Sequence, residues 1–412
     1  MARVMKDSGI EWIGEIPETW DTIKFKYLFS ITGGNGFPEN LQGQTEGTYP
    51  FCKVSDINGH SDYVSTAANY VTDEVVEIHS FNIIPCGSII IAKIGAALQK
   101  NHRKINSVPC CIDNNTQALV PVRADNIRYL FYLTHCIDMG WFDNNSTVPS
   151  LNNNKLLNFF VPNVDVAEQH RIADFLDRKC AEIDAVIEKT KATIEEYKKL
   201  KQSVITEAVT KGIRGNRPMK DSGIEWIGEI PEGWVCMKLK YIIDTLNSGT
   251  AITNDKLSDA DDESVYPVYG GGSLIGFYHD FNAECTLLVG RVGAKCGCIT
   301  FVPGKAWATD NALVVNTQWN IPWLNYVLIA SDLNKLNTSN AQPLITASKV
   351  LNLHVAVCEE AEQQEIVTYL NDKCAALDTL IAKKTALLTE LETYKKSLIY
   401  EYVTGKKEVN EQ

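Results

Sequence analysis

Met5–Trp20 reads MKDSGIEWIGEIPETW, and Met219–Trp234 reads MKDSGIEWIGEIPEGW. Fifteen of these sixteen positions are identical at an offset of 214 residues. Beyond the tryptophan the likeness thins, with Lys24, Lys26 and Tyr27 matching Lys238, Lys240 and Tyr241. A second repeat runs without a gap at an offset of 194, Ala167–Thr210 against Ala361–Thr404. It shares the opening Ala-Glu-Gln, Lys179-Cys180-Ala181 with Lys373-Cys374-Ala375, and Val209-Thr210 with Val403-Thr404. It extends back through Pro149/Pro343 and Lys155/Lys349. Internal repeats are the first thing to seek in a chain, because missing one misreads the whole fold. The two offsets differ by 20, so the second copy is shorter and the difference lies between the matched pieces. The chain therefore reads as constant–variable–constant, twice. A lead segment spans 1–20, a first variable module 21–166 and a helix 167–216. The lead segment returns at 217–234, followed by a second module at 235–360 and a second helix at 361–412. A duplicated enzyme with one decayed half would keep its catalytic positions best. Here the best-kept parts are a short segment and a helix, which points to shared assembly with divergent recognition.

Glu168–Thr210 holds no proline or glycine and is rich in Ala, Glu, Lys, Leu and Ile, a helix-forming composition. Apolar residues recur at Ile172, Leu176, Ile183, Ile187, Ile194, Tyr197 and Val204, the alternating three and four spacing of a coiled-coil seam. The second copy repeats it at Ile366, Leu370, Leu377, Ile381, Leu388, Leu391 and Leu398. Gly212 and Gly405 follow as stop signals. At about 1.5 Å per residue each helix is a rod of roughly 60 Å. Thr190 and Lys201 interrupt the first stripe, and Lys384 and Lys395 the second. Each narrow stripe needs covering, and the other copy is the simplest cover. Antiparallel packing suits two helices that each carry a module. Trp12, Trp20 and Pro17, repeated as Trp226, Trp234 and Pro231, read as hydrophobic plugs.

The modules read as α+β on one plan. Strand-like runs fall at Tyr49–Val54, Gly87–Ile94 and Ala118–Val122, and again at Val265–Tyr269, Thr286–Val292 and Ala312–Val315. Tyr49-Pro50 matches Tyr266-Pro267, Lys93-Ile-Gly95 matches Arg291-Val-Gly293, and Asp113-Asn114 matches Asp310-Asn311. Basic and amide-rich loops stand out. In the first module they hold Lys93, Lys100, Asn101, His102, Arg103, Lys104, Asn114, Asn115, Gln117, Asn153 and Lys155. In the second they hold Arg291, Lys295, Lys305, Asn311 and Lys349. Lys and Arg neutralise phosphates, while Asn, Gln and Arg read base edges in pairs of hydrogen bonds. Taken singly, each is an ordinary solvated loop residue. As a set at equivalent places in both modules, they point to DNA.

Composition sets bounds on this reading. The 412 residues are 45% hydrophobic and 22% charged, which excludes disordered and fibrous classes. Twelve cysteines lack zinc-site spacing, so no metal is expected. No apolar run reaches the roughly 18–20 residues of a membrane span, and Met1–Glu15 lacks a signal-type apolar core, so the expected location is the cytoplasm. The net charge of −12 speaks against nonspecific nucleic-acid binding by the whole surface. The acid is spread, with 10 basic and 13 acidic side chains in 21–166 and 8 and 12 in 235–360, so a local basic face is compatible with it. No P-loop, dinucleotide fingerprint, nucleophile elbow or His-Glu-x-x-His occurs. Two unlike modules without a catalytic set suggest a subunit that selects a target for others. The competing readings are a solitary methyltransferase or nuclease, and a noncatalytic coiled-coil adaptor without DNA readout.

In these features the chain resembles the specificity subunits of Type I restriction-modification systems. The resemblance covers nearly the whole chain. It rests on Gly9–Trp20 and its copy, on Ala167-Glu-Gln heading a long helix that ends near Val209-Thr210, and on Lys93-Ile-Gly95 and Arg291-Val-Gly293. It implies an α+β protein in which two target recognition domains are separated by two long helices forming an antiparallel coiled coil, with an internal pseudo-twofold repeat. It implies that each domain reads half of a bipartite site in double-stranded DNA while the helices set the gap. It implies two modification subunits, which carry S-adenosylmethionine and methylate adenine, and restriction subunits, which carry ATP hydrolysis and cleavage. No cofactor is expected on this chain itself.

Overall fold

The computed structural model describes residues 3–59, 61–144, 147–259, 265–337 and 343–409. The chain divides into two units. Unit 1 comprises Met1–Glu188 and Leu388–Gln412, and unit 2 comprises Lys189–Leu387.

In unit 1 the lead segment is an antiparallel hairpin, Met5–Asp7 against Glu15–Pro17. Its turn is built by local bonds. Asp7 accepts from the Gly9 N–H at 2.9 Å and Ser8 Oγ from the Ile10 N–H at 3.1 Å. Asp21–Lys24 then pairs antiparallel with Phe160–Asn163, so the module leaves and rejoins the frame at one two-stranded clasp. Between lies a five-stranded sheet in the order Phe29–Gly33, Thr116–Pro121, β1 (Ile89–Ala92), β2 (Arg103–Asn106) and Tyr63–Val64. β1 is buried at every position, as its unbroken Ile-Ile-Ile-Ala predicts for a strand covered on both faces. Helix α1 (Ile127–His135) starts where the Asn126 side chain accepts from the N–H groups of Arg128 and Tyr129. Its Tyr129, Leu130 and Leu133 share one core with Ile172, Leu176 and Ile183 of α2 (Val166–Lys211).

Unit 2 repeats the plan. The second hairpin has the same register, Met219↔Pro231, Lys220↔Ile230 and Asp221↔Glu229. The clasp is Val235–Lys238 with His354–Val357. The sheet order is Thr245–Ser248, Ala312–Asn316, β3 (Ala283–Gly290), Ile299–Ala308, Tyr266–Gly270 and Ser273–Tyr278. The first four strands match those of unit 1, and the modules part company beyond them. Helix α3 (Ile321–Ala330) is capped by Asn320, and its Trp323, Leu324 and Val327 pack with Ile366 and Leu370 of α4 (Glu360–Val403).

Both long helices end at a left-handed glycine, Gly212 at φ 75° and Gly405 at φ 74°. Within each unit their segments run antiparallel. In unit 1, the Phe175 ring of α2 lies tilted against Tyr402 of α4 with centroids 4.4 Å apart, while Asp184 meets Lys395 at 2.7 Å, so one number rises as the other falls. In unit 2, Lys201 pairs with Asp378 at 2.7 Å and Arg214 with Glu365 at 2.7 Å. Lys201 and Lys395, two of the residues that interrupt the apolar stripes, thus find aspartates on the facing helix, at positions that match under the repeat. The stripe is shared between helix and module. Ile172, Leu176, Ile183, Ile187 and Leu398 lie in the unit 1 core with Leu388 and Leu391 at its edge. Ile366 and Leu370 lie in the unit 2 core with Val204 at its edge. Ile194 is buried, and Leu377 and Ile381 are half-buried.

The repeated tryptophans close each unit. Trp20 is buried, its Nε1 donates to Glu168 at 2.8 Å, and Arg3 reaches the other Glu168 oxygen at 2.6 Å. Trp234, Glu362 and Arg217 repeat this at 2.9 and 2.6 Å. Each arginine also lies over its indole ring, at 5.0 and 5.1 Å. The exposed helix-to-helix pairs are minor by comparison. Asp184 is about half exposed, so Lys395→Ala is expected to cost no more than about 1 kcal/mol in urea unfolding.

Candidate nucleic-acid interface

The best-defined shared feature of the modules lies at the end of the central strand. Lys93 follows β1. Its N–H donates to the Asn115 carbonyl at 2.9 Å, and its carbonyl accepts from the Leu151 N–H at 2.9 Å. The Gly95 N–H donates to the Pro149 carbonyl at 2.7 Å, and Ile94 bridges Ser150. Arg291 follows β3 in the same way. Its N–H donates to Asn311 at 3.0 Å, and its carbonyl accepts from Ile345 at 2.9 Å. Gly293 donates to Pro343 at 3.2 Å, and Val292 bridges Leu344. Each cation is therefore held from both sides by the same two loops. Gly95 and Gly293 both take φ +68°, and a Cβ at either would meet nothing within 4 Å. Glycine is needed there for the left-handed backbone rather than to relieve crowding. Neither Lys93 nor Arg291 is ion-paired among the described residues.

The other candidates divide into exposed and committed side chains. Lys100, His102, Asn114, Asn115, Asn153 and Lys155 are exposed in unit 1. Asn115 Nδ2 reaches Asp113 at 3.3 Å, and Lys155 Nζ donates to the Asp143 carbonyl at 3.3 Å. Asn101 holds its own loop together, donating to Asp138 at 2.6 Å and accepting from the Met139 N–H at 2.8 Å. Arg103 and Lys104 stand on β2, not in a loop, and both are buried. The Arg103 guanidinium donates to the carbonyls of Thr134 and Ile137 at the end of α1. Burial pushes its pKa down to about 10, which leaves it charged at neutral pH. Gln117 likewise sits inside the sheet, with its Nε2 unpartnered. In unit 2, Lys295, Lys305 and Asn311 are exposed, and Lys305 lies 4.1 Å over the Phe281 ring. Lys349 Nζ donates to the Leu336 carbonyl at 3.1 Å, the counterpart of the Lys155 contact.

Two corrections follow. The loop expected at 100–104 is a turn and then a strand, because the long side chains of Arg103 and Lys104 pack their stems inside the sheet. The match of Asn114 with Asn311 is one residue off. Asn115 and Asn311 make the equivalent bonds, and Asp113 corresponds to Thr309, whose carbonyls accept from Thr116 and Ala312. Pro149–Leu151 and Pro343–Ile345 were not among the candidates, although their backbones form one wall of each site. The gapless repeat reaching back to Pro149/Pro343 was the signal for them.

Residues 17–196 match the family model of the Type I restriction modification DNA specificity domain. The chain is 31% identical over 156 residues to the Type I restriction enzyme EcoprrI specificity subunit of Escherichia coli, 37% of each chain. Over that stretch the chain is similar to the Type I specificity subunits. The MjaIX specificity subunit of Methanocaldococcus jannaschii is 26% identical over 249 residues, 56% of this chain and 53% of that one. The matched stretches thus span only about a third to a half of these two specificity subunits. A chain solved in work on complex assembly and conformational transition of the type I R-M system has the same fold, with a TM-score of 0.70. At 14% identity, it covers 95% of this chain and 99% of its own length. The shared fold therefore extends over both repeats. Among the described residues no helix is long and apolar enough to cross a membrane.

Proposed function

We propose that this chain is the sequence-specific DNA recognition subunit of a Type I restriction-modification complex. Each module reads one half of a bipartite site, and the paired helices set the gap and dock two modification subunits. The chain is noncatalytic by itself. S-adenosylmethionine belongs to the modification subunits, and ATP with magnesium to restriction subunits. One observation carries the reading. Two modules of divergent sequence keep one backbone frame around a cation that, among the described residues, has no ion pair at the same strand end, Lys93 in one and Arg291 in the other. A shared frame with a changed side chain suits a shared task on different targets.

The acid balance shapes the expected binding. A net charge of −12 leaves few free cations for phosphates, so modification subunits supply much of the backbone contact. The isolated chain is expected to bind DNA weakly, with affinity falling steeply between about 50 and 200 mM salt. With its modification subunit it is expected to bind one sequence tightly. Fluorescence anisotropy with labelled duplexes measures both. Nanomolar specific binding by the isolated chain at physiological salt would contradict the proposal.

A further inference from the structure

Four arginines lie in the two modules: Arg103, Arg123, Arg128 and Arg291. Three are spent inside the protein. Arg103 holds the carbonyls at the end of α1. Arg123 pairs with Asp125 at 3.2 Å. Arg128 joins Asp62 at 2.9 Å and also contacts Asp177. Arg291 is the one of the four whose side chain has neither a hydrogen bond nor an ion pair among the described residues, and its Nε is buried without a partner. A buried donor without an acceptor is unfavourable, and a ligand that brings acceptors relieves it.

The surroundings fix where this side chain starts. The bonds to Asn311 and Ile345 pin the Arg291 backbone on both sides, and open space lies over the neighbouring Gly293. We infer that Arg291 selects a guanine in the half-site read by the second module. Guanine presents O6 and N7 side by side on its major-groove edge, and the planar guanidinium fork matches that pair of acceptors. Lys93, at the same place in the first module, offers a compact point charge without a fork, so the first half-site is not bound by the same rule. The inference rests on the proposed role in DNA recognition.

The test compares wild type, Arg291→Lys and Arg291→Ala, each co-expressed with the modification subunit in a methylation-free host, with N6-methyladenine mapped across the genome. The half-site of the second module is the one that stays constant when residues 21–166 are exchanged. Arg291→Lys is expected to relax one guanine of that half-site, with discrimination falling roughly ten- to hundredfold. The other half-site, the gap, the thermal midpoint and copurification with the modification subunit are expected to stay as in wild type. Should Arg291→Ala fail to fold, Arg291→Lys, which keeps the charge and stem, still decides the matter. An unchanged second half-site, or relaxation at a base other than guanine, overturns the inference and leaves the recognition role standing. A wild-type chain that directs no methylation overturns both.

Discussion

Replacing residues 21–166 by the recognition module of another specificity subunit is expected to change one half of the methylated motif and leave the other half unaltered. The reason lies in how the module joins its frame. It leaves at Asp21–Lys24 and returns at Phe160–Asn163, and these two segments are paired strands, so the cut ends are neighbours. The core of unit 2 contains no residue of 21–166. A foreign module that supplies its own clasp and an α1-like helix over Ile172, Leu176 and Ile183 therefore leaves the second reading surface intact. The expected effect is large, because each mismatched base pair in a specific site costs about 1–3 kcal/mol and well-separated positions add. A new half-site several bases long thus amounts to loss of the old one. If both halves changed, or neither did, the two-module account would be wrong.

Trp234→Ala is expected to be among the most damaging single substitutions in unit 2, at about 3–5 kcal/mol for removal of a buried tryptophan. Trp234 is 3% exposed and fills the space between the second hairpin and the start of α4. Its loss also strips Glu362 of a donor at 2.9 Å and Arg217 of the ring beneath it. Trp234→Phe keeps an aromatic ring but removes the Nε1 donor, and about 1–3 kcal/mol is expected for that loss alone. Trp20→Ala and Trp20→Phe are expected to give the same ranking in unit 1, where Glu168 and Arg3 play the same parts. Urea unfolding followed by intrinsic fluorescence and circular dichroism measures all four. A loss below about 1 kcal/mol for Trp234→Ala would show that the repeated segment is not the closure of the unit.

Much of this architecture was legible because the chain states it twice. The 3-and-4 spacing from Ile172 to Val204 and the glycines at 212 and 405 located the long helices, which run Val166–Lys211 and Glu360–Val403. Even the interruptions at Lys201 and Lys395 were informative. Each meets an aspartate on the facing helix, and Asp184 and Asp378 are themselves repeat-related. The candidate site was legible only in part. Lys93, Arg291 and the glycines two residues on were visible as a motif, because the left-handed turn constrains the local sequence. The partners that hold them are backbone groups of Pro149–Leu151 and Pro343–Ile345, and a backbone bond leaves no signature in side-chain type. The burial of Arg103 and Gln117 was hidden for a related reason. A polar residue inside a sheet looks like a loop residue until the strand around it is known. The glutamate beneath each tryptophan belongs to the Ala-Glu-Gln repeats, but nothing in the sequence links Glu168 to a tryptophan 148 residues earlier.

The central claim is that this chain supplies a two-part DNA specificity to a methyltransferase that lacks it. The most direct measurement is a methylome, taken in a methylation-free host that expresses a Type I modification subunit from the same source, with and without the chain. The account predicts one bipartite N6-methyladenine motif, two short half-sites with a fixed gap, only when this chain is present. Stable copurification of the two proteins without any such motif, or the same motif in the absence of this chain, would contradict it.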